Sequence, residues 1–271
     1  MAYALVTGGS SGMGLEYCRQ LARRGYDIIM VSNRQDQLDE AAPALSGESG
    51  VKVIPLFLDL SDPAAASLLL EKVDAMDAFP EIMVHNAGMF FFLELNPELL
   101  PKAEAMVRLH VGFVTSSVVL FGERMKQRGS GRMLLVSSMA ARIPAPGISV
   151  YAASKAYLRS FGESMYYELR PYGVTVTTVC PAAIDTPLYG LSDKMRLWGR
   201  RLGLIHTPAW LVRRALRALM RGRCRVSPSL INGLVPALVS LLPPPFESWI
   251  WKKLKPRLGK GAKSRTQAAG A

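Results

Sequence analysis

The sequence predicts an α/β fold, a doubly wound parallel sheet with helices on both faces. Two observations carry that expectation. Short β-branched or apolar runs alternate with segments of helical period through most of the 271 residues, and a glycine-rich turn joins the first run to the first helical segment. Alternation of this kind favours parallel strands connected by crossover helices. Such sheets bind ligands at the carboxyl ends of their strands, near the point where strand order reverses.

Taken in order, strands are expected at 3–7, 27–31, 51–57, 81–85, 132–137, 173–179 and 224–227, in β-branched or apolar runs such as Val174-Thr175-Val176-Thr177. Helical segments lie between them at about 13–24, 35–45, 63–76, 98–128, 151–170 and 208–221. One domain is expected over 1–228, a helical or amphipathic extension over 229–258 and a disordered basic tail over 259–271. Residues 230–242 are apolar but interrupted by Asn232, Gly233 and Pro236, and they fall short of the roughly 20 residues that span a bilayer. Trp249, Ile250 and Trp251 then run into Lys252, Lys253, Lys255 and Arg257. That mixture suits either a membrane surface or a core cap beside a solvated basic turn.

An apolar fraction of 49% and a charged fraction of 20% exclude disordered and fibrous classes. The net charge of +12 is unevenly placed: residues 1–193 hold 16 Lys/Arg against 20 Asp/Glu, whereas 194–271 hold 17 against Glu247 alone. A basic final third can face anionic lipid, an acyl-CoA or nucleic acid, or simply be solvated. No nucleic-acid-binding motif accompanies it, so no nucleic acid is expected. Cys18, Cys180 and Cys224 are far apart and suit buried thiols in a reducing compartment better than disulfides or a metal site. Met1 leads directly into the first strand with no signal-peptide pattern. The expected location is cytoplasmic, with or without peripheral membrane contact.

The turn Thr7-Gly8-Gly9-Ser10-Ser11-Gly12-Met13-Gly14 follows the first strand and opens a helix. Gly8 and Gly12 permit backbone angles closed to other residues, and Gly14 permits the helix to pack close to the strand. The helix N-terminus offers N–H groups and the positive end of its dipole to a pyrophosphate. The spacing is GxxxGxG rather than GxGxxG, so position after the first strand carries the weight. At the end of the second strand stand Ser32, Asn33 and Arg34, where an acidic residue would bond the NAD ribose and repel a 2′-phosphate. Neutral hydrogen-bonders followed by a guanidinium favour NADP(H). If Arg34 merely solvates a helix start, NAD(H) stays open.

The fifth strand ends in Val136-Ser137-Ser138; Tyr151 follows, with Lys155 four residues beyond it. Residues i and i+4 share a helix face. A free phenol has a pKa of about 10, and an adjacent ammonium lowers it towards operating pH, where acid–base catalysis is efficient. Ser138 can then hold a carbonyl oxygen while Tyr151 delivers a proton and a nicotinamide delivers hydride.

Together these residues resemble the short-chain dehydrogenase/reductase family in its single-domain Rossmann form, from residue 3 to about 190. The motifs are TGxxxGxG at 7–14, Asp59 in Leu58-Asp59-Leu60, Asn86-Ala87-Gly88, Ser138, Tyr151-Ala152-Ala153-Ser154-Lys155, and Pro181 to Thr186. The resemblance implies that Asp59 contacts adenine with the backbone of Leu60, and that Asn86 braces the central strands. The backbone of Asn86, Ala87 and Gly88 would line the cofactor. Ser138 would orient substrate, Tyr151 would be the acid/base, and Lys155 would bond the nicotinamide ribose. Ile184 and Thr186 would hold the carboxamide beyond Pro181. A homodimer or homotetramer pairing through helices 98–128 and 151–170 is also implied.

Two positions depart from the pattern. His110 replaces the usual Asn of a proton relay; either it takes over the relay, being able to donate and accept, or it packs a helix in a weakened one. Ala182 replaces a usual glycine after Pro181, with a small backbone shift expected.

The substrate lid of the family falls on Leu188, Tyr189, Leu191, Met195, Leu197, Trp198, Leu202 and Leu204, with Phe90, Phe91, Phe92, Ile143 and Pro144 on the same side. These suit a lipophilic carbonyl such as a steroid, retinoid, fatty-acyl chain or ketone, or they are ordinary core. Arg196, Arg200 and Arg201 suit an acyl-CoA phosphate or solvent. The leading expectation is an NADPH-dependent carbonyl reductase working reversibly. The alternatives are a catalytically weak nucleotide sensor and a membrane-surface binding protein.

Overall fold

The computed structural model describes residues 2–91, 95–181, 183–184 and 205–228, with positions 238, 243, 245 and 252. Its main sheet is built from β1 (Tyr3–Thr7), β2 (Asp27–Ser32), β3 (Val53–Phe57), β4 (Pro80–His85), β5 (Gly131–Val136), β6 (Val174–Val179) and β9 (Arg225–Val226). These seven strands are all parallel in the order β3-β2-β1-β4-β5-β6-β9. The doubly wound fold expected from the sequence is the fold formed, and strand order reverses between β1 and β4. A separate pair, β7 (Ala183–Ile184) with β8 (Ile205–His206), was not expected.

Successive side chains on a strand face opposite layers. Leu5, Ile29, Val31, Met83 and Leu135 pack with α3 (Ala65–Ala75), α5 (Val114–Arg128) and α6 (Ser149–Leu169). Their neighbours Ala4, Val6, Ile28, Met30 and Val84 pack with α1 (Gly12–Ala22), α2 (Gln35–Ser49) and a helix we number α7 (Pro208–Met220). Both faces being covered, the central strands read as continuous apolar runs. β3 lies at the edge, where Pro55 is tolerated because an edge strand need not donate on both sides.

Two helices depart from expectation. α2 extends to Ser49 instead of 45, ending where Gly50 turns left-handed (φ 70°) and donates to the Ser46 carbonyl. The run expected as one helix over 98–128 divides into a 3-10 turn (Pro97–Leu99), α4 (Leu100–Val107), a π-helical turn (Arg108–Phe113) and α5. This run is apolar and long enough to cross a bilayer, yet Met106, Phe113, Val118, Phe121 and Met125 are buried in the protein interior. Residues 229–258 and 259–271 lie outside the described residues apart from single positions. So do Phe92, Ala182, Thr186 and the lid positions Leu188 to Leu204, with Arg196, Arg200 and Arg201.

Candidate active site

The carboxyl ends of β1 and β4 flank a cleft of about 510 Å³. One hydroxyl pins the two ends together: Thr7 Oγ1 accepts from the Asn86 and Ala87 N–H groups, each at 3.0 Å, and donates to Val84 O at 3.3 Å. Asn86 Nδ2 donates to Thr7 O at 3.1 Å, tying the two central strands from the other side. The cleft brings together Gly8, Ser10, Ser11, Gly12, Met13, Ser32, Asn33, Arg34, Asp59, Leu60, Asn86, Ala87 and Gly88, all candidates for cofactor binding from the sequence. Gly14 is beneath it: a Cβ there would collide with the Gly8 carbonyl. Gly8 and Gly12 have φ of 64° and 54°, the left-handed region that favours glycine.

The cleft fits a dinucleotide on three counts. Ser11, at the N-cap of α1, makes no side-chain cap, so the first-turn N–H groups have no capping side chain. Among the described residues a Cβ on Gly12 would meet nothing within 4 Å, leaving room at that helix end. Asn86 Oδ1 is buried with no partner among the described residues.

At the far end, Ser10 Oγ lies 2.8 Å from Ser32 Oγ and 3.0 Å from Gln37 Oε1. The Arg34 guanidinium pairs with Asp36 at 3.2 Å and holds that carboxyl below its ordinary range. Asp59 Oδ1 accepts from the Ser61 N–H and hydroxyl, at 2.9 and 2.8 Å, so this carboxylate turns onto its own loop.

The catalytic candidates meet where β5 ends against α6. Lys155 Nζ donates to Val136 O at 2.9 Å, and Ser137 Oγ donates to Lys155 O at 2.7 Å. Ser138 follows directly, its Oγ accepting the Ala140 N–H at 3.2 Å. Tyr151 and Lys155 are 6% and 4% exposed, with Nζ 5.6 Å from the Tyr151 ring centre. Burial pushes the Lys155 amine down to about 8. Lys155 reaches the cleft wall, since a Cβ on Gly88 would lie 3.7 Å from its Nζ. Phe90 sets its ring edge-on to Tyr151 at 5.0 Å. Pro181 is buried and its carbonyl accepts the Met139 N–H at 2.8 Å. The Ile184 backbone pairs in β7, while its side chain and Thr186 are outside the description.

His110 is fully buried. Its Nε2 accepts the Met89 N–H at 2.9 Å, and its Nδ1 lies 2.8 Å from Ser154 Oγ, which donates to Tyr151 O at 2.8 Å. Burial, with Lys155 nearby, pushes the imidazole down to about 2.

Three contributors escaped the sequence reading. Thr7 was visible only as a flank of the glycine turn, Gln37 carried no signal, and Met89 acts through a backbone N–H that side-chain identity cannot reveal.

A family model of short chain dehydrogenases matches residues 2–196. The chain is 32% identical over 207 residues to a Mycobacterium tuberculosis protein named Probable oxidoreductase EphD, covering 72% of this chain and 34% of that protein. It thus spans about a third of that relative's length. Very-long-chain 3-oxoacyl-CoA reductase of Bos taurus is 27% identical over 260 residues, which is 93% of this chain and 78% of that one. Among solved structures, a short-chain dehydrogenase from Sphingobium yanoikuyae in complex with NADPH has a TM-score of 0.75 and 28% identity, covering 90% of this chain and 97% of that one.

Proposed function

This chain belongs to the short-chain dehydrogenase family of oxidoreductases, and from that premise we propose that it is an NADPH-dependent reductase of a lipophilic carbonyl compound. The observation that carries the proposal is the pairing of Tyr151 and Lys155 on one face of α6, with the Lys155 ammonium beside the Gly88 wall of the cleft. When bound, the nicotinamide supplies hydride to the carbonyl carbon.

The protein's own groups manage the oxygen. Tyr151 gives its phenolic proton to that oxygen as charge develops there. Lys155, anchored by Val136 O, stabilises the phenolate left behind. Ser138 accepts the Ala140 N–H, so its own O–H can donate to the substrate oxygen. Ser10, Ser32, Asn33, Arg34 and Gln37 suit the 2′-phosphate end, because β2 ends in hydrogen-bonders and a guanidinium rather than a carboxylate. The NADPH-bound relative supports that preference. The bovine relative's name supports a 3-oxoacyl class of substrate, and Phe90 beside Tyr151 adds an apolar wall.

The same reading keeps 1–228 as one catalytic unit with 229–258 as an extension. It gives a cytoplasmic enzyme with peripheral membrane contact through the basic final third. Exposed Leu100 and Val107 on α4 suit pairing with a second copy. Purified protein tested with NADPH against 3-oxoacyl-CoA thioesters and bulky ketones should oxidise NADPH. Nucleotide binding without turnover on the whole panel would instead favour the sensor.

A further inference from the structure

His110 sits in the π-helical turn Arg108–Phe113, an irregularity of a kind frequent at functional sites. Its two nitrogens allow the proton to be placed by logic. The Met89 N–H can only donate, so Nε2 presents a lone pair. In a neutral ring the proton then lies on Nδ1, facing Ser154 Oγ, and the Ser154 hydroxyl donates to the Tyr151 backbone carbonyl. Each donor meets an acceptor in this order. The other tautomer, or a protonated ring, would set N–H against N–H at Met89, on a ring that is fully buried. Lys155 and Tyr151, both from α6, are the titratable groups facing the ring, and the Lys155 charge opposes a second cation.

We propose that His110 is a positioning residue, a neutral Nδ1–H imidazole that clamps the Gly88-Met89 turn to the first turns of α6 and carries no relay proton. The clamp connects a wall of the nucleotide cleft to the helix that bears Tyr151 and Lys155, setting the distance between cofactor and acid. Gly88 is its counterpart: a Cβ there would stand 3.0 Å from His110 Nε2, so a side chain at 88 displaces the ring. The consequence for turnover rests on the catalytic reading of Tyr151 and Lys155; the protonation state does not.

The test begins on the wild-type protein with nitrogen-15 NMR of the histidine rings. His110 should show the Nδ1–H form, unchanged between about pH 5 and about pH 8. An Nε2–H form, or titration within that range, overturns the proposal. His110→Gln, whose side-chain oxygen can accept from Met89, should keep NADPH affinity and the wild-type pH profile of kcat. His110→Ala should weaken NADPH binding and lower kcat together, by about tenfold to a hundredfold, without moving the pH profile. A pH profile displaced in the Gln variant would restore the relay and sink the clamp. If His110→Ala does not fold, the NMR result and the Gln variant still decide. If no carbonyl compound is reduced by wild type, the proposed function fails while the ring proton still judges the clamp.

Discussion

On the nucleotide side of the cleft, between β1 and α1, geometry comes from missing side chains; on the catalytic side, between β5 and α6, it comes from side chains that hold backbone groups. Gly14 lets α1 sit against the Gly8 carbonyl, and Gly8 and Gly12 take left-handed angles. Opposite them, Lys155 holds Val136 O, Ser137 holds Lys155 O, and His110 and Ser154 hold Met89 and Tyr151. The first side should therefore fail when atoms are added, the second when they are removed.

The largest effect on folding and nucleotide binding is expected at Gly14. Gly14→Ala drives a Cβ into backbone that cannot swing aside, an overpacking cost on the order of 3 kcal/mol. NADPH affinity should fall by about a hundredfold or more, with a lower Tm in a thermal melt. Gly12→Ala meets open space and suffers only its φ of 54°, so it should lose less, about 1–2 kcal/mol. The reverse ranking in fluorescence titrations would break the comparison.

Tyr151→Phe removes one oxygen from the catalytic side. Turnover should drop by about a thousandfold, while NADPH binding and folding persist. Comparable turnover in the variant would end the acid assignment.

Third comes pH. Burial lowers the Lys155 amine to about 8, so its charge beside Tyr151 is present below that pH and fades above it. Carbonyl reduction should decline as pH rises through about 8, and Lys155→Arg should carry that limb to higher pH because guanidinium stays charged. A rate flat to about pH 10 would show that the cation does not govern Tyr151.

The smallest expected effect lies at the cleft rim, where Arg34 and Asp36 neutralise each other at 3.2 Å. Arg34→Ala should cut the preference for NADPH over NADH by about tenfold. Asp36→Asn should raise it a few-fold by freeing the guanidinium. Shifts in the same direction would sharpen the question of which group reads the 2′-phosphate.

The strands, the glycine turn and the Tyr151–Lys155 pair were legible because each depends on near neighbours in the chain. Other features were not. The helical period over 98–128 gave no hint of the π turn at Arg108–Phe113, since both neighbouring helices remain apolar across it. His110 could be read as relay or as packing because its partners, Met89 and Ser154, lie 21 and 44 positions away. Arg34 was legible as a cation, but not its partner: Asp36 two residues on holds it only because the exposed start of α2 lets both side chains swing together.

By itself the sequence determined the doubly wound sheet, the family, the walls of the cleft and the helix face shared by Tyr151 and Lys155. Period, glycine placement and i,i+4 spacing are local, and local steric rules act before the chain has closed on itself. Tertiary structure alone decided which backbone groups Thr7 pins, where Lys155 points and which nitrogen of His110 carries the proton. Those outcomes depend on donors and acceptors brought within hydrogen-bonding reach from distant segments, and on the burial that leaves each with one satisfactory partner.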